Sequence, residues 1–262
     1  MSVTTDLRVD SKVRVITISD PGKLNAIGDD IRNGLAQQVA SATSDLNCTS
    51  IIITGANGAF SSGGELSGMP TESDAIHRRM GTMHEIIRMI TLASQIVISA
   101  VDGVAFGSGM SLAAAADIVV ASDQSKFGCS FGRVGLIPDV GFLWSVPRRI
   151  GSQRTRLIVL RNALIEADVA LDWGLVDYLC PPGAALECAL EKAAEIIRTP
   201  ARTLANAKRM MARSFSSLDA LLEAELECQI ELLATEEFAA AREAFLARSQ
   251  QKINTPGAGN DR

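Results

Sequence analysis

The sequence lacks an excess of basic residues. It carries 25 Lys and Arg against 30 Asp and Glu, and the net charge of its 262 residues is −5. The basic residues are scattered along the chain, whereas nucleic-acid binding requires them on one face or stripe. We therefore exclude a nucleic-acid partner and expect a small-molecule substrate.

Signals for secretion and membrane insertion are also lacking. The first residues, Met1 to Asp6, contain no basic segment followed by an apolar one, as a signal peptide would. No uncharged run reaches the length that crosses a bilayer. We expect a cytoplasmic protein without a membrane partner.

Cysteine is present but is not arranged for disulfide or metal chemistry. The five cysteines are an odd number, and none belongs to a Cys-x-x-Cys pair. Disulfide frameworks and zinc sites depend on such pairing or spacing. We therefore predict reduced thiols and no metal site.

The chain does contain enough apolar residues for one large core. Hydrophobic residues make up 47% of it, which favours one large domain with or without an appendage. Alternating residues on both sides of Asp10 and Ser11 predict a hairpin. A helix is predicted from Asp29 or Asp30, and a buried strand over residues 50–54.

Two strand–loop–helix units organise the chain. They cover residues 50–66 and 96–117, and in each an apolar run ends in glycines. Gly103, Gly107 and Gly109 leave the backbone bare where the second unit turns, so peptide N–H groups at the helix start can approach a ligand. Such turns bind anions or oxyanions, and the repeated unit predicts a layered α/β fold.

The rest of the chain is predicted to be mostly helical. Residues 71–74 resemble a capping box, a long loop is expected from Phe127 to Val140, and a short strand over residues 175–179. From about Pro200, amphipathic helices indicate an appendage or an oligomer interface. Their apolar anchors are Met210, Met211, Leu218, Leu222, Leu226 and Phe245.

Three common motifs do not fit the second glycine loop. Leu112 stands where a dinucleotide fingerprint needs Gly or Ala, and Asp123 follows too soon for its acidic residue. The loop lacks the Lys of a Walker motif, and Phe106 and Met110 replace the glycines of a nucleophile elbow around Ser108. Two converging N–H donors for one oxygen remain as the simplest function of the two loops.

The order and spacing of several motifs resemble the crotonase, or enoyl-CoA hydratase/isomerase, superfamily. They are Lys23-Leu-Asn-Ala26, Thr54-Gly-x-x-x-Ala-Phe-Ser-Ser-Gly-Gly-Glu-Leu66, Val101-Asp-Gly-Val-Ala-Phe-Gly-Ser-Gly-Met110, Ala116-Asp-Ile-Val-Val-Ala121, Gly135-Leu-Ile-Pro138 and Asp172-Trp-Gly-Leu-Val-Asp177. The resemblance covers nearly the whole chain and implies an α/β fold with a crotonase-like ββα spiral core over residues 1–199. It further implies a helical trimerisation region over 200–255, in a homotrimer or a dimer of trimers. We expect a flexible tail over 256–262.

The resemblance also implies a ligand and a site. An acyl-CoA thioester is the expected substrate, in fatty-acid or phenylacetate breakdown, and no cofactor is expected. The family's two oxyanion N–H donors correspond to Ser62 and Ser108, in the turns that contain Gly63, Gly107 and Gly109.

Further positions correspond to the binding of CoA and of the acyl chain. They are Lys23 and Leu24 with the backbone near Ala59 and Phe60 for CoA, and Met80, Met83 and His84 for the acyl pocket. The methionines could equally pack in the core, and His77 and His84 could instead be exposed histidines or serve as a base.

The family's hydratases use two glutamates to hold a water, and this chain carries neither. Ser111 and Phe131 stand at the two positions, and neither can act as a carboxylate base. Asp139, directly after Pro138, is the one carboxylate that we place in the site. This pattern most resembles Δ3,Δ2-enoyl-CoA isomerases and bacterial phenylacetate-pathway isomerases.

We therefore predict that Asp139 takes the C2 proton of a 3-enoyl-CoA and returns it at C4. Burial among Phe131, Phe142 and Trp144 would raise its pKa from about 3.9 toward neutrality. Asp139 could instead cap a helix that starts near Val140.

Other functions stay open at this point. An atypical base could support hydration or hydrolysis, Asp139 could act as a nucleophile on an aryl-CoA, or the chain could be a catalytically silent CoA-binding scaffold. Glu65 is a weaker acid candidate, since we expect it to satisfy N–H groups at a helix start.

Overall fold

The computed structural model describes residues 1–254, with side chains described through residue 247. The tail predicted over 256–262 and the last position of the region predicted over 200–255 lie outside the described residues. The strands are β1 (Ser2–Arg8), β2 (Val13–Ser19), β3 (Ser50–Gly55), β4 (Ile96–Val101), β5 (Val104–Phe106), β6 (Ile118–Ser122), β7 (Lys126–Gly128), β8 (Leu164–Glu166) and β9 (Tyr178–Cys180). The α-helices are α1 (Asp29–Thr43), α2 (Ser73–Leu92), α3 (Ser108–Ala115), α4 (Phe142–Arg161), α5 (Ala167–Trp173), α6 (Ala185–Ile196), α7 (Ala201–Ala212), α8 (Leu218–Leu233) and α9 (Glu236–Asn254).

The larger sheet of the described chain has the strand order β1-β2-β3-β4-β6-β9. β1 and β2 pair antiparallel, which confirms the predicted hairpin, and Asp10 and Ser11 turn the chain with positive φ. The other neighbouring strands pair parallel. β4 is buried along its whole length, as a parallel strand covered on both faces must be.

Helices cover both faces of this sheet. On one face, Ile31 and Leu35 of α1 belong to the main hydrophobic core with α2 and α3. On the other face, Ala185 and Ala189 of α6 pack against Ile52 of β3. The small alanine side chains let α6 lie close to the strands. The layered α/β architecture is therefore as predicted.

A second, smaller sheet has the order β5-β7-β8 and was not predicted. β5 follows β4 directly and leads into α3, which gives the strand–strand–helix turn of the expected spiral. The loop predicted from Phe127 to Val140 begins inside β7 and contains a 3-10 helix over Phe131–Val134, so the prediction of irregular structure is wrong there. Three-residue strands are too short to show a periodic pattern in the sequence.

Two predicted boundaries are also wrong. α2 begins at Ser73 with Glu72 at the N-cap, and no side chain caps it, so residues 71–74 form no capping box. The strand predicted over 175–179 begins later, as β9, because the two residues before Asp177 are buried in the hydrophobic core instead of pairing.

Lys208 joins α7 to the rest of the chain. Its Nζ lies 2.7 Å from Oδ2 of Asp117 and donates to the carbonyls of Ile90 and Gln95 at 2.8 and 2.9 Å. Burial lowers the pKa of Lys208 and raises the pKa of Asp117. Each charge therefore depends on the other to remain ionised inside the protein.

The surface of α7, α8 and α9 is rich in exposed apolar side chains. No residue of α8 is buried. The exposed large side chains are Met211, Leu218, Leu222, Leu226, Ile230, Leu233, Phe245 and Leu246. The predicted anchors of this region therefore do not pack into the core of their own chain. No helix in the described residues has the length and apolarity needed to cross a membrane.

Candidate active site

A partly enclosed cavity lies where the two glycine turns meet. Its walls come from the turn after β3, from α2, from the start of α3 and from the segment before α4. The predicted site residues that line it are Ser62, Gly63, Met80, Met83, Gly107, Ser108, Phe131 and Asp139.

Gly63 and Gly109 allow the two turns to touch. A Cβ on Gly63 would lie 2.7 Å from the carbonyl oxygen of Phe106, and its φ of +101° is unfavourable for other residues. A Cβ on Gly109 would lie 2.6 Å from the carbonyl oxygen of Ser61. Both positions therefore require glycine for backbone contact.

The Ser62 N–H is already used within the protein. It donates to the carbonyl of Leu24 at 2.8 Å, and the Ser62 hydroxyl donates to the carbonyl of Lys23 at 2.8 Å. These two bonds fix the turn after β3 to the segment that follows β2. They also leave Ser62 unable to serve as the oxyanion donor that the sequence predicted.

Gly64 offers the free N–H in this turn. Ile27 donates to the carbonyl of Gly63 at 2.7 Å and accepts from Glu65 at 3.4 Å, which forms a parallel bridge beside Gly64. This pairing directs the Gly64 N–H away from Ile27. The Gly64 N–H has no acceptor among the described residues. Gly64 also lines the cavity. The free N–H of this turn therefore lies two residues after the predicted position, Ser62.

Ser108, the second predicted donor, lines the cavity. It is the first residue of α3 after Gly107, whose φ is +51°. N–H groups in a first helical turn have no partner inside the helix. The Ser108 hydroxyl is buried and unpaired, and its Oγ lies 3.7 Å from the position of a Cβ on Gly64. The two turns therefore bring unpaired donors to one corner of the cavity.

Asp139 is the one carboxylate among the described residues that line the cavity. Its Oδ1 is buried and has no hydrogen-bond partner. Burial raises the pKa of Asp139, while the charges of Arg79 and His84 act in the opposite direction. Asp139 does not cap α4, because that helix begins at Phe142 with Gly141 at the N-cap. The alternative structural role is therefore wrong.

Ser111 and Phe131 occupy the two positions where the family's hydratases carry glutamates. The Ser111 hydroxyl is buried and donates to the main-chain carbonyl of Asp139 at 2.9 Å. Phe131 lines the cavity and packs edge to face against Phe142, with ring centroids 6.0 Å apart. One position thus supports the Asp139 backbone and the other excludes water.

Trp144 and His84 lie outside the cavity. Trp144 is 43% exposed and lines a different surface depression, where the guanidinium of Arg148 lies 3.2 Å from the centroid of its ring. It therefore does not contribute to the burial of Asp139. His84 is exposed on α2 and acts on Asp139 only through its charge.

The predicted CoA-binding residues lie next to the first glycine turn and do not line the cavity. Lys23 forms an ion pair with Glu65, and Leu24 is exposed. Ala59 and Phe60 are buried, and the carbonyl of Ala59 accepts from the side chain of Asn25 at 2.6 Å. No helix begins at Glu65, so its predicted role at a helix start is wrong.

Arg32 and Arg79 line the cavity and were missed in the sequence. Each lies on the apolar face of its helix: Arg32 is three residues before Leu35, and Arg79 is four before Met83. A charged residue at such a position is the signal that could have identified them. No group of His, Cys, Asp and Glu in the described chain could hold a metal ion.

Comparison with known proteins agrees with this architecture. The sequence model of the enoyl-CoA hydratase/isomerase family matches residues 8–255. A Mycobacterium tuberculosis protein named as a probable enoyl-CoA hydratase is 32% identical over 191 residues, or 72% of this chain and 75% of that protein. The 1,2-epoxyphenylacetyl-CoA isomerase of Escherichia coli is 27% identical over 92% of this chain and 94% of its own length.

The fold comparison gives the same result. The crystal structure of an enoyl-CoA hydratase from Polaromonas sp. JS666 superposes with a TM-score of 0.89 at 27% identity, covering 95% of this chain and 98% of that chain. One conclusion follows from the strand–strand–helix core, the two glycine turns and the sequence match. The chain belongs to the crotonase superfamily, as a member of the enoyl-CoA hydratase/isomerase family.

Proposed function

We propose that this protein is an enoyl-CoA isomerase that moves a double bond from the 3 to the 2 position of an acyl-CoA. The observation that carries the proposal is Asp139, a half-buried residue whose carboxylate has one buried, unpaired oxygen in a cavity bordered by free backbone N–H groups. Proton removal next to a thioester requires these two elements: a base and a site for the negative charge.

The N–H groups of Gly64 and Ser108 would bind the thioester oxygen. When C2 loses its proton, negative charge develops on that oxygen, and donors already in place stabilise it without reorganisation. Loss of one such donor typically costs about 10²–10³ in rate. The Gly64 donor replaces Ser62 in this scheme, because the Ser62 N–H is bound to Leu24.

Asp139 would carry the proton between the two carbons. Its carboxylate takes a proton from C2 and becomes a carboxylic acid, while the electrons move into a dienolate. The acid then returns the proton at C4, the double bond forms between C2 and C3, and the carboxylate is restored. Electrons remain in the substrate throughout, so we also propose that no cofactor is needed.

Two features favour this reaction over hydration. Hydration needs a pair of carboxylates to hold and activate a water, and Ser111 and Phe131 stand at those positions. The Ser111 hydroxyl donates to Asp139, and Phe131 is apolar. The isomerase named among the relatives supports the same choice.

The test compares the wild type with Asp139→Asn on a 3-enoyl-CoA and on a 2-enoyl-CoA. The wild type should form the conjugated 2-enoyl thioester, followed by its ultraviolet absorbance, and should form no 3-hydroxyacyl-CoA from the 2-enoyl-CoA. Asp139→Asn should lose about 10²–10⁴ in turnover. Asp172→Asn, which removes an exposed carboxylate outside the cavity, serves as the matched control.

Further measurements distinguish the isomerase from the alternatives: a nucleophilic enzyme, a silent homologue and a hydratase. A covalent adduct on Asp139, detected by mass spectrometry with an aryl-CoA, would indicate a nucleophile. CoA binding without turnover of any enoyl-CoA would indicate a silent homologue. Formation of 3-hydroxyacyl-CoA as the main product would contradict the isomerase proposal.

We further propose that the exposed apolar face of α7–α9 is buried between copies of the chain in a homotrimer or a dimer of trimers. Leu222 and Leu226 lie on α8, which has no buried residue in the single chain. Leu222→Glu combined with Leu226→Glu should reduce the mass measured in solution to that of a monomer. A wild-type monomer would contradict this assembly.

A further inference from the structure

Arg79 lies in the cavity beside the proposed oxyanion donor. Its Nη2 is 3.5 Å from the position of a Cβ on Gly64, and its charge acts on Asp139. Its described partners are distant: the carbonyl of Ile27 at 3.4 Å and the carboxylate of Asp29 at 3.7 Å. The guanidinium thus lies beside the proposed oxyanion donor and is close enough to Asp139 for its charge to act on the proposed base.

Arg32 adds a second guanidinium to the same wall. The residue is 6% exposed, and its Nη2 donates to Asp29 at 2.8 Å. Nε and Nη1 of Arg32, together with Nη1 of Arg79, are buried and have no hydrogen-bond partner among the described residues. Two buried guanidinium groups therefore share Asp29, whose side chain is 72% exposed.

A purely structural role explains this arrangement poorly. Buried charges that lack good partners destabilise a fold, and apolar residues of similar volume are often neutral or stabilising replacements. Met69, Met80 and Met83 already line the cavity. A methionine in place of Arg79 would extend that apolar wall. The presence of an arginine instead indicates a ligand group that an apolar wall cannot bind.

We propose that the cavity binds an acyl group with a second carboxylate, so that the substrate is the CoA thioester of a short dicarboxylic acid. A guanidinium presents paired N–H donors that match the two oxygens of a carboxylate. Because Arg79 lies beside Gly64, this carboxylate would be held close to the reacting carbons, which favours a short chain. The inference rests on the proposed function for the reaction, but not for binding.

The same contact would assist the proposed base. Arg79 at present opposes the rise in the pKa of Asp139 that burial causes. A substrate carboxylate paired with Arg79 would offset that positive charge and leave Asp139 a stronger base. The charged substrate and the carboxylate base are therefore compatible in one cavity.

The experiment measures binding with thioesters that cannot isomerise. Calorimetry compares glutaryl-CoA with pentanoyl-CoA, two chains of equal length that differ in the terminal carboxylate. The wild type should bind glutaryl-CoA about 10- to 100-fold more tightly. Arg79→Met and Arg32→Met should each reduce this preference, and Arg79→Met should abolish it.

Arg148→Met is the matched control, because Arg148 stacks on Trp144 outside the cavity. It should keep the full preference. Equal or weaker binding of glutaryl-CoA by the wild type would overturn the proposal, as would an unchanged preference in a folded Arg79→Met. If Arg79→Met does not fold, the wild-type comparison and a second variant, Arg79→Lys, decide the question. Arg79→Lys keeps the charge but loses the paired donors, so it should lose most of the preference for glutaryl-CoA.

Thermal unfolding separates a ligand role from a structural one. If Arg79 serves a ligand, Arg79→Met should unfold at the same temperature as the wild type or higher. Asp139→Asn should keep the preference for glutaryl-CoA while it loses turnover. If the wild type prefers glutaryl-CoA but shows no isomerase activity, only the proposed function is contradicted. If the wild type isomerises 3-enoyl-CoA but shows no preference for glutaryl-CoA, only this inference is contradicted.

Discussion

The hydroxyl oxygen of Ser111 and the main-chain carbonyl oxygen of Asp139 lie 2.9 Å apart and are joined by a hydrogen bond. This bond ties the first turn of α3, which begins with the proposed oxyanion donor Ser108, to the segment that carries the proposed base. In the family's hydratases the position of Ser111 corresponds to a catalytic glutamate. Here the side chain at that position holds the remaining carboxylate in place.

Ser111→Ala should therefore reduce turnover without abolishing it. Loss of the bond lets the Asp139 segment move, and small displacements of a base are costly, so we expect a fall of about 10-fold in kcat. The free energy of unfolding should fall by about 1 kcal/mol. Steady-state kinetics and urea unfolding measure the two effects. A loss as large as that of Asp139→Asn would show instead that the hydroxyl takes part in the chemistry.

The adjacent glycines of the first turn should respond differently to alanine. Gly63→Ala places a Cβ 2.7 Å from the Phe106 carbonyl oxygen at a positive φ, so it should separate the turns and reduce kcat by about 10²-fold or more. Gly64→Ala keeps the N–H, and its Cβ would lie 3.2 Å from the flexible end of Met69, 3.5 Å from that of Arg79 and 3.7 Å from the Ser108 hydroxyl oxygen. It should retain most activity. An inactive Gly64→Ala with an active Gly63→Ala would contradict the geometry of the turn.

The pH dependence of kcat/KM should report Asp139. The base must be ionised, so activity should rise with pH through a pKa above the ordinary 3.8 of an aspartate. Arg79→Met removes the charge that lowers this pKa, so the acid limb should shift to higher pH on a substrate without a second carboxylate. Arg149→Lys, distant from the cavity, should leave the limb in place. An acid limb that does not move in Arg79→Met would contradict the assignment.

Asp139→Asn should make the folded protein more stable at neutral pH. Because burial raises the pKa of Asp139, the folded state holds its proton more tightly than the unfolded state. The stability of the wild type therefore falls as pH rises from the unfolded value, about 3.9, through the folded one. The gain from Asp139→Asn should be present at pH 7 and should shrink as the pH approaches 4. Thermal unfolding of both proteins across pH measures it, and a loss of stability at pH 7 would contradict it.

Lys208→Ala should loosen the C-terminal helices. It removes the ion pair with Asp117 and the two hydrogen bonds to the carbonyls of Ile90 and Gln95, three contacts that join α7 to the core, which should cost about 1–3 kcal/mol. Hydrogen exchange should show faster opening of α7 than of the sheet. Lys192→Ala, which breaks an exposed pair with Glu195, is the control and should leave unfolding unchanged.

The sequence predicts the parts of the fold that repeat a local pattern over many residues. The hairpin around Asp10, the buried strand at residues 50–54 and the helix from Asp29 are found as expected, since each shows its own period of apolar residues. β5, β7 and β8 escape prediction because three residues show no period. Their formation depends on pairing with distant strands.

The distinction between local patterns and distant contacts also explains which site residues can be predicted from the sequence. Asp139 and Ser108 can be placed from motif spacing, because both lie next to glycine or proline turns. Ser62 is the predicted first donor, and the sequence does not reveal that the carbonyl of Leu24 accepts its N–H. That bond joins residues 38 positions apart. Trp144 was placed in the site by proximity in sequence, but the start of α4 directs it to another surface.

The measurement that tests the central claim most directly follows a deuterium atom. A 3-enoyl-CoA deuterated at C2 is converted by the wild type and by Asp139→Asn, and the product is analysed by NMR and mass spectrometry. If Asp139 carries the proton, the wild type should show a primary isotope effect and place part of the deuterium at C4, and Asp139→Asn should lose both with its turnover. Turnover and deuterium transfer that persist unchanged in Asp139→Asn would contradict the account.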